Sequence, residues 1–198
     1  MPGRVIGLWT IILSAGGSRR LGRPKQLLRR HGRTLLSETA NLAQTVTPGR
    51  VVVVVGAHRY RMRSALRGCG TGVQTVDNSR WRDGMAGSLC QGLKALPPDA
   101  SAALLLVTDQ PLVTPADLKR LVAAWSRQPQ RAAASSYGGR LGIPAILPRR
   151  LWREAKHERG DVGARAILRR PGARITTVSL PAAGIDIDTE QDLEALRR

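Results

Sequence analysis

Residues 5–25 read VIGLWTIILSAGGSRRLGRPK. The first part, Val5–Leu13, is an unbroken apolar run that ends in Ser14-Ala15-Gly16-Gly17. Such a run, closed by small residues, predicts a buried strand followed by a tight loop. Small residues at 14–17 let backbone N–H groups approach a ligand closely, and consecutive N–H groups in such a turn form an anion-binding nest. Arg20 and Lys25 add positive charge beside it. Donors that hold a triphosphate, and cations that stabilise charge on phosphorus and on departing pyrophosphate, are the parts that phosphoryl or nucleotidyl transfer requires. Two familiar loops do not fit. Gly17 and Gly22 have the separation of a Walker A loop, but Arg23 and Pro24 stand where Lys and Ser or Thr would follow. The Gly-x-Gly-x-x-Gly spacing of a dinucleotide fingerprint does not occur.

Outward from this loop, the chain alternates between strands and helices. Val51–Val55 is five valines, the pattern of a strand buried on both faces of a parallel sheet. Ala103–Val107 is a third such run. Apolar residues at Leu35, Leu36, Leu42, Ala43 and Val46 have helical spacing, and Pro48-Gly49 ends that helix. Further helices are predicted at Arg59–Leu66, Ser88–Leu96, Pro115–Trp125, Asp161–Arg169 and Thr189–Leu196, and further strands at Val73–Val76, Arg131–Ser135 and Arg174–Val178. The alternation predicts an α/β fold with a mostly parallel sheet, in a single domain spanning residues 1–198. Ligands of such sheets bind beyond the carboxyl ends of the strands, which directs attention to the loops after Leu13, Val55 and Val107.

Composition narrows the classes of partner. The 198 residues are 42% hydrophobic but only 3% aromatic, with no Phe, so the core rests on Leu, Val, Ile and Ala. The net charge is +18, nearly all from Arg, a field that attracts anions. A nucleic-acid-binding protein is the competing reading from that charge alone. Such proteins concentrate charge and interleave aromatics, whereas this charge is spread along the chain, so neither a nucleic-acid nor a membrane partner is expected. Cys69 and Cys90 have no metal-binding or disulfide spacing, and Val5–Leu13 is too short to span a bilayer; a cytoplasmic, soluble protein is expected.

With 14 acidic residues in the chain, a carboxylate at a strand end is conspicuous. Asp109 follows the Ala103–Val107 run and is placed to hold Mg²⁺, which takes one or two carboxylates plus substrate phosphates. Asp186 and Asp188 fall on the same side of an extended segment and are further metal candidates, although Asp188 or Thr189 could instead cap the last helix.

The stretch from Leu13 to Leu28 resembles the Leu-x-Ala-Gly-x-Ser-x-Arg-Met-Gly-x-x-Lys loop of the MobA-like nucleoside-triphosphate transferases, and within them the molybdenum cofactor cytidylyltransferases. Ser14 replaces the usual Ala and Leu21 the usual Met. Further segments are similar in order: Val55-Gly56-Ala57, Asn78–Leu89, Thr108-Asp109-Gln110-Pro111, Gly142-Ile143-Pro144, Gly160–Leu168 and Asp186–Leu193. The resemblance implies a Rossmann-like three-layer α/β/α sandwich of the nucleotide-diphospho-sugar transferase type. It implies transfer of CMP from CTP to the terminal phosphate of molybdopterin cofactor, with Mg²⁺, and transient contact with a molybdoenzyme or its chaperone. By the same resemblance Leu13, Ser14, Ala15, Gly16, Gly17, Gly56, Gly84 and Ser88 bind the nucleotide. Arg20 and Lys25 contact the triphosphate, Asp109 with Asp186 or Asp188 holds the metal, and Pro144, Asp161 and Arg165 face the acceptor. A guanylyltransferase on the same cofactor, or a cytidylyl- or uridylyltransferase on a sugar or alcohol phosphate, is the alternative within enzymes.

Overall fold

The valine and leucine runs form the middle of one sheet. A computed structural model describes residues 7–155, 160, 163–169, 174–189, 191 and 192. In chain order the elements are β1 (Leu8–Ser14), a short hairpin of β2 (Arg29–Arg30) and β3 (Arg33–Thr34), α1 (Leu35–Gln44), β4 (Val51–Val55), α2 (Arg59–Ala65), β5 (Val73–Asp77), α3 (Met85–Lys94), β6 (Ala102–Val107), α4 (Pro115–Ser126), β7 (Ala132–Tyr137), β8 (Arg140–Pro148), α5 (Trp152–Ala155), α6 (Gly163–Leu168) and β9 (Ile175–Ser179). The seven-stranded sheet has the order β5-β4-β1-β6-β8-β7-β9. Only β8 runs against the others.

Strand alternation sorts the core into two layers. Leu8 and Ile12 of β1, with Val51, Val53 and Val55 of β4, pack on one face with α1, α2 and α4. Ile11 and Leu13, with Val52 and Val54, pack on the other with α3, α5 and α6. All five valines of β4 are buried. Burial of each such side chain contributes roughly 1.5–3 kcal/mol relative to exposure. The result is the expected three-layer α/β/α sandwich. No helix among the described residues is long and apolar enough to cross a membrane.

Strand β8 was not expected from the sequence, and it carries Pro144 and Pro148, which cannot donate to a ladder. The register shows how Pro144 is accommodated. Ala134 pairs with Ala145 and Ser135 with Gly142, so Ile143 and Pro144 are looped out as a bulge. On the other side the β6 ladder ends at the Leu105–Ala145 pair. No ladder N–H is demanded of Pro144 from either neighbour. Helix α3 also begins earlier than predicted, at Met85, because Gly84 takes a φ of 106° that turns the chain into it. The predicted helices at Asp161–Arg169 and Thr189–Leu196 lie partly outside the described residues.

Candidate active site

Strands β1, β4 and β6 are mutually parallel, so the loops after Ser14, Val55 and Val107 emerge on one edge of the sheet. The glycine-rich loop after β1 is fastened from below. Gln26 is buried, and its Nε2 donates to the carbonyls of Gly16 (2.8 Å) and Ser14 (3.4 Å). Its Oε1 accepts from Ser18 Oγ, which itself accepts from the Lys25 N–H at 3.0 Å. Gly16 is exposed, with open space where a Cβ would be. Leu13, Ser14 and Ala15 are buried. The Ser14 hydroxyl, where the resembling family has Ala, lacks a hydrogen-bond partner among the described residues.

The β4 loop closes against it. Ala57 N donates to Ala15 O at 3.0 Å. A Cβ on Gly56 would stand 2.6 Å from Trp81 Cβ and 2.8 Å from Ala15 O, so only glycine permits this approach. Trp81 also touches Gly17 and packs on the core layer of α3. Gly84 meets Gly160 so closely that a Cβ would clash with its backbone. Ser88 is buried, and its Oγ accepts from Asn78 Nδ2 at 3.0 Å. It braces the Asn78 turn from beneath the surface.

Lys25 ends the loop at the centre of the charge. Its Nζ lies 2.5 Å from Asp109 Oδ2 and 3.1 Å from Asp188 Oδ1. Arg20, at the exposed rim, reaches Asp188 Oδ2 at 3.5 Å. Burial works against the Lys25 charge, but Asp109 and then Asp188 outweigh it and hold the ammonium above its ordinary pKa. The segment carrying Asp186 and Asp188 is docked by a backbone bond from Ile187 N to Asp109 O (2.9 Å), and Ile187 is fully buried between the two carboxylates. Burial, then the charges of Asp109 and Asp188, push the Asp186 carboxyl up, partly relieved by a hydrogen bond from Gln110. The capping question is answered by Asp192, whose N–H bonds to Thr189 Oγ1 while its carboxylate accepts from the N–H groups of Asp188 and Thr189. Thr189 caps, and the Asp188 carboxylate turns to Lys25.

The residues present suit a divalent cation. Asp109 Oδ1 is buried and has no hydrogen-bond partner among the described residues, a costly arrangement for a carboxylate oxygen without a ligand. Among the described residues no three His, Cys, Asp or Glu side chains form a ready metal cage.

Two residues that sequence reasoning passed over hold this geometry. Gln26 fastens the loop. Gln110 is buried, and its Nε2 donates to Ile143 O (3.0 Å) and Ala183 O (2.7 Å), tying β8 and the approach to Asp186 to the end of β6. Their signal was available: each is an uncharged polar residue directly after a charged site residue. On the acceptor side, Pro144 is buried in the β8 bulge, and its carbonyl accepts from Ser135 Oγ. Arg165 lies on α6, and Asp161 lies outside the described residues.

A glycine turn, a lysine and carboxylates thus meet on the carboxyl edge of a parallel sheet. A family model for the MobA-like NTP transferase domain matches residues 10–175, and the chain belongs to that family. It is a nucleotidyltransferase by that membership. It is similar to nicotine blue oxidoreductase of Paenarthrobacter nicotinovorans, 29% identical over 197 residues, covering 94% of each chain. Among solved structures it resembles Rv0371c of Mycobacterium tuberculosis H37Rv, with a TM-score of 0.81, 26% identity and coverage of 96% of this chain and 97% of that one. A structure of Rv0371c in complex with manganese matches with a TM-score of 0.77, 25% identity and the same coverage.

Proposed function

We propose that this chain transfers CMP from CTP to the terminal phosphate of molybdopterin cofactor, giving the cytosine dinucleotide and pyrophosphate, with Mg²⁺ bound. The observation that carries this reading is the contact of Lys25 with Asp109 and Asp188 at the end of the glycine loop. The loop N–H groups at 15–17 would receive the triphosphate, with Lys25 and Arg20 neutralising it. Asp109, with Asp186 or Asp188, would hold the cation, which supplies charge neutralisation between the two anionic reactants. An oxygen of the acceptor phosphate forms a bond to the α-phosphorus of CTP. The bond from that phosphorus to its bridging oxygen breaks, and the electron pair leaves with pyrophosphate. The attacking phosphate is already an anion, so no side chain must remove a proton. Asp161 and Arg165 are assigned to the acceptor side by resemblance to the cytidylyltransferases.

Pyrophosphate release with each of the four triphosphates, with and without molybdopterin cofactor, tests the reading. Release with CTP and the cofactor together supports it, and a preference for GTP moves the protein to guanylyl transfer. Because one relative carries an oxidoreductase name, turnover without pyrophosphate release would replace transfer with another chemistry.

A further inference from the structure

The β2–β3 hairpin, α1 and the turn after α2 enclose a cavity of about 450 Å³. It shares no residue with the glycine loop or with the carboxylates around Lys25. Three arginines stand in its wall: Arg29 and Arg33 from the hairpin, and Arg67 from the turn. Among the described residues no Asp or Glu lines it. The carboxylates nearby are engaged elsewhere. Glu38 lies 4.0 Å from Arg30, which it faces before His31 and Arg33, and Asp77 lies 2.9 Å from Arg63. Arg67 is exposed and has no ion pair or side-chain hydrogen bond among the described residues. Arg29 donates one N–H to Gly32 O at 2.7 Å, and a guanidinium carries five such donors.

The hairpin itself favours a counter-ion. Arg30 and Arg33 stand directly opposite each other across the ladder. Like charges in that position repel and weaken the pairing, so an anion held by Arg33 would offset a cost already built into the hairpin. The floor of the cavity is fixed by packing. Cys69 is buried, and its carbonyl accepts from Gln44 Nε2 at 2.7 Å. Gly68, at a φ of 94°, turns the chain from Arg67 into that floor. Asn41 of α1 and Ser64 of α2 add an amide and a hydroxyl that have no side-chain partner among the described residues.

We infer that this cavity is a second anion-binding site, separate from the glycine loop, for a compact molecule with two or more oxyanion groups. Three guanidinium groups around one space call for more than one negative charge, and their forks suit phosphoryl and carboxylate oxygens alike. The volume suits a small molecule. The inference does not draw on the transferase reading. The hairpin begins four residues after Lys25, and Arg30 donates to the Pro111 carbonyl, two residues past Asp109. An anion in the cavity therefore fastens the segment that joins the two ends of the candidate active site.

The experiment is calorimetric titration of pyrophosphate and of citrate, each without divalent cations. Wild type is compared with Lys25→Ala, which weakens anion capture at the glycine loop. Two double variants are then made in the Lys25→Ala background. Arg33→Ala/Arg67→Ala empties the wall, and Arg127→Ala/Arg153→Ala removes the same charge from exposed positions outside the cavity. Lys25→Ala should still bind pyrophosphate, and the cavity variant should bind it at least about tenfold more weakly, since each lost charged hydrogen bond counts for roughly that much. The control should bind as Lys25→Ala does, and equal melting temperatures of the two double variants exclude a folding defect. Binding of citrate as well marks a site for oxyanions in general, and binding of pyrophosphate alone marks a phosphoryl site. If Lys25→Ala binds neither anion, or the cavity variant binds as tightly as Lys25→Ala, the assignment is overturned. Equal losses in both double variants overturn it too, because binding then follows the net charge of +18 and not the cavity.

Discussion

Lys25 Nζ stands 2.5 Å from Asp109 Oδ2, a contact that joins the end of the glycine loop to the end of β6. The contact pairs the cation and the carboxylate on which the proposed reaction depends, so neither can be altered without changing the surroundings of the other. Asp109→Asn keeps the shape and removes the charge. Its turnover should fall by roughly 10²–10³, the scale of losing one preorganised electrostatic group. Its melting temperature should stay near wild type, because Asp188 still pairs Lys25 at 3.1 Å. Turnover at the wild-type rate would remove Asp109 from the site.

Gln26 tests whether the loop must be held from behind. Gln26→Leu leaves the Gly16 carbonyl and the Ser18 hydroxyl without their partner, costing about 1–3 kcal/mol of stability. The sharper readout is the triphosphate. Its KM should rise, while the KM for the acceptor, which the loop does not hold, should not.

The approach of the β4 loop to β1 depends on Gly56. Gly56→Ala places a methyl group 2.8 Å from Ala15 O and against Trp81, and overpacking of that kind costs about 1–3 kcal/mol. Thermal unfolding should show a lower melting temperature together with weaker triphosphate binding. A variant with wild-type values for both would contradict the close packing at this position.

Removal of divalent cations should abolish pyrophosphate release, and added Mg²⁺ should restore it. The unpaired Asp109 Oδ1 is the motivating observation. Full activity in excess chelator would separate the carboxylates from metal binding.

Asp117 gives a prediction about stability and pH. Thr114 and Asp117 form a reciprocal capping box at the start of α4, and Arg120 bonds to Asp117 at 2.7 Å. Burial alone would raise the carboxyl pKa, but the Thr114 N–H, Arg120 and the Thr114 hydroxyl together hold it below the ordinary carboxylate range. A depressed folded-state pKa means stability that is present above the unfolded pKa and lost as pH falls through the folded one. Asp117→Asn should therefore cost about 1 kcal/mol near neutrality, or about 2–4 °C for a chain of this size. Thermal melts should show the gap between variant and wild type closing as pH falls from the ordinary carboxylate pKa through the lower folded one. A gap that persists in acid would mean that packing, and not the charge, carries the effect.

The parallel half of the sheet was legible because Val5–Leu13, Val51–Val55 and Ala103–Val107 are apolar throughout, as strands buried on two faces must be. β8 was not, since the bulge that admits Pro144 is a property of its pairing with β7 and leaves no trace in spacing. Of the candidate site, the glycine loop and Asp109 could be read from their places at strand ends, and Lys25 from its charge beside the loop. The roles of Asp186 and Asp188 could not, because the choice of cap depends on Asp192 Oδ2 accepting two backbone N–H groups. Gln26 and Gln110 could be noticed as uncharged polar residues beside charged ones, but not their partners: the Gly16 and Ser14 carbonyls for Gln26, and those of Ile143 and Ala183 for Gln110, are set by how the chain folds back.

The most direct test follows the α-phosphate. CTP labelled at that position is incubated with the protein, Mg²⁺ and molybdopterin cofactor, and the products are separated. The label is expected in a cofactor dinucleotide, none of it in pyrophosphate, and that product is expected to be lost in Lys25→Ala. Label that stays in CTP, or product formation that Lys25→Ala leaves intact, would contradict the proposed transfer.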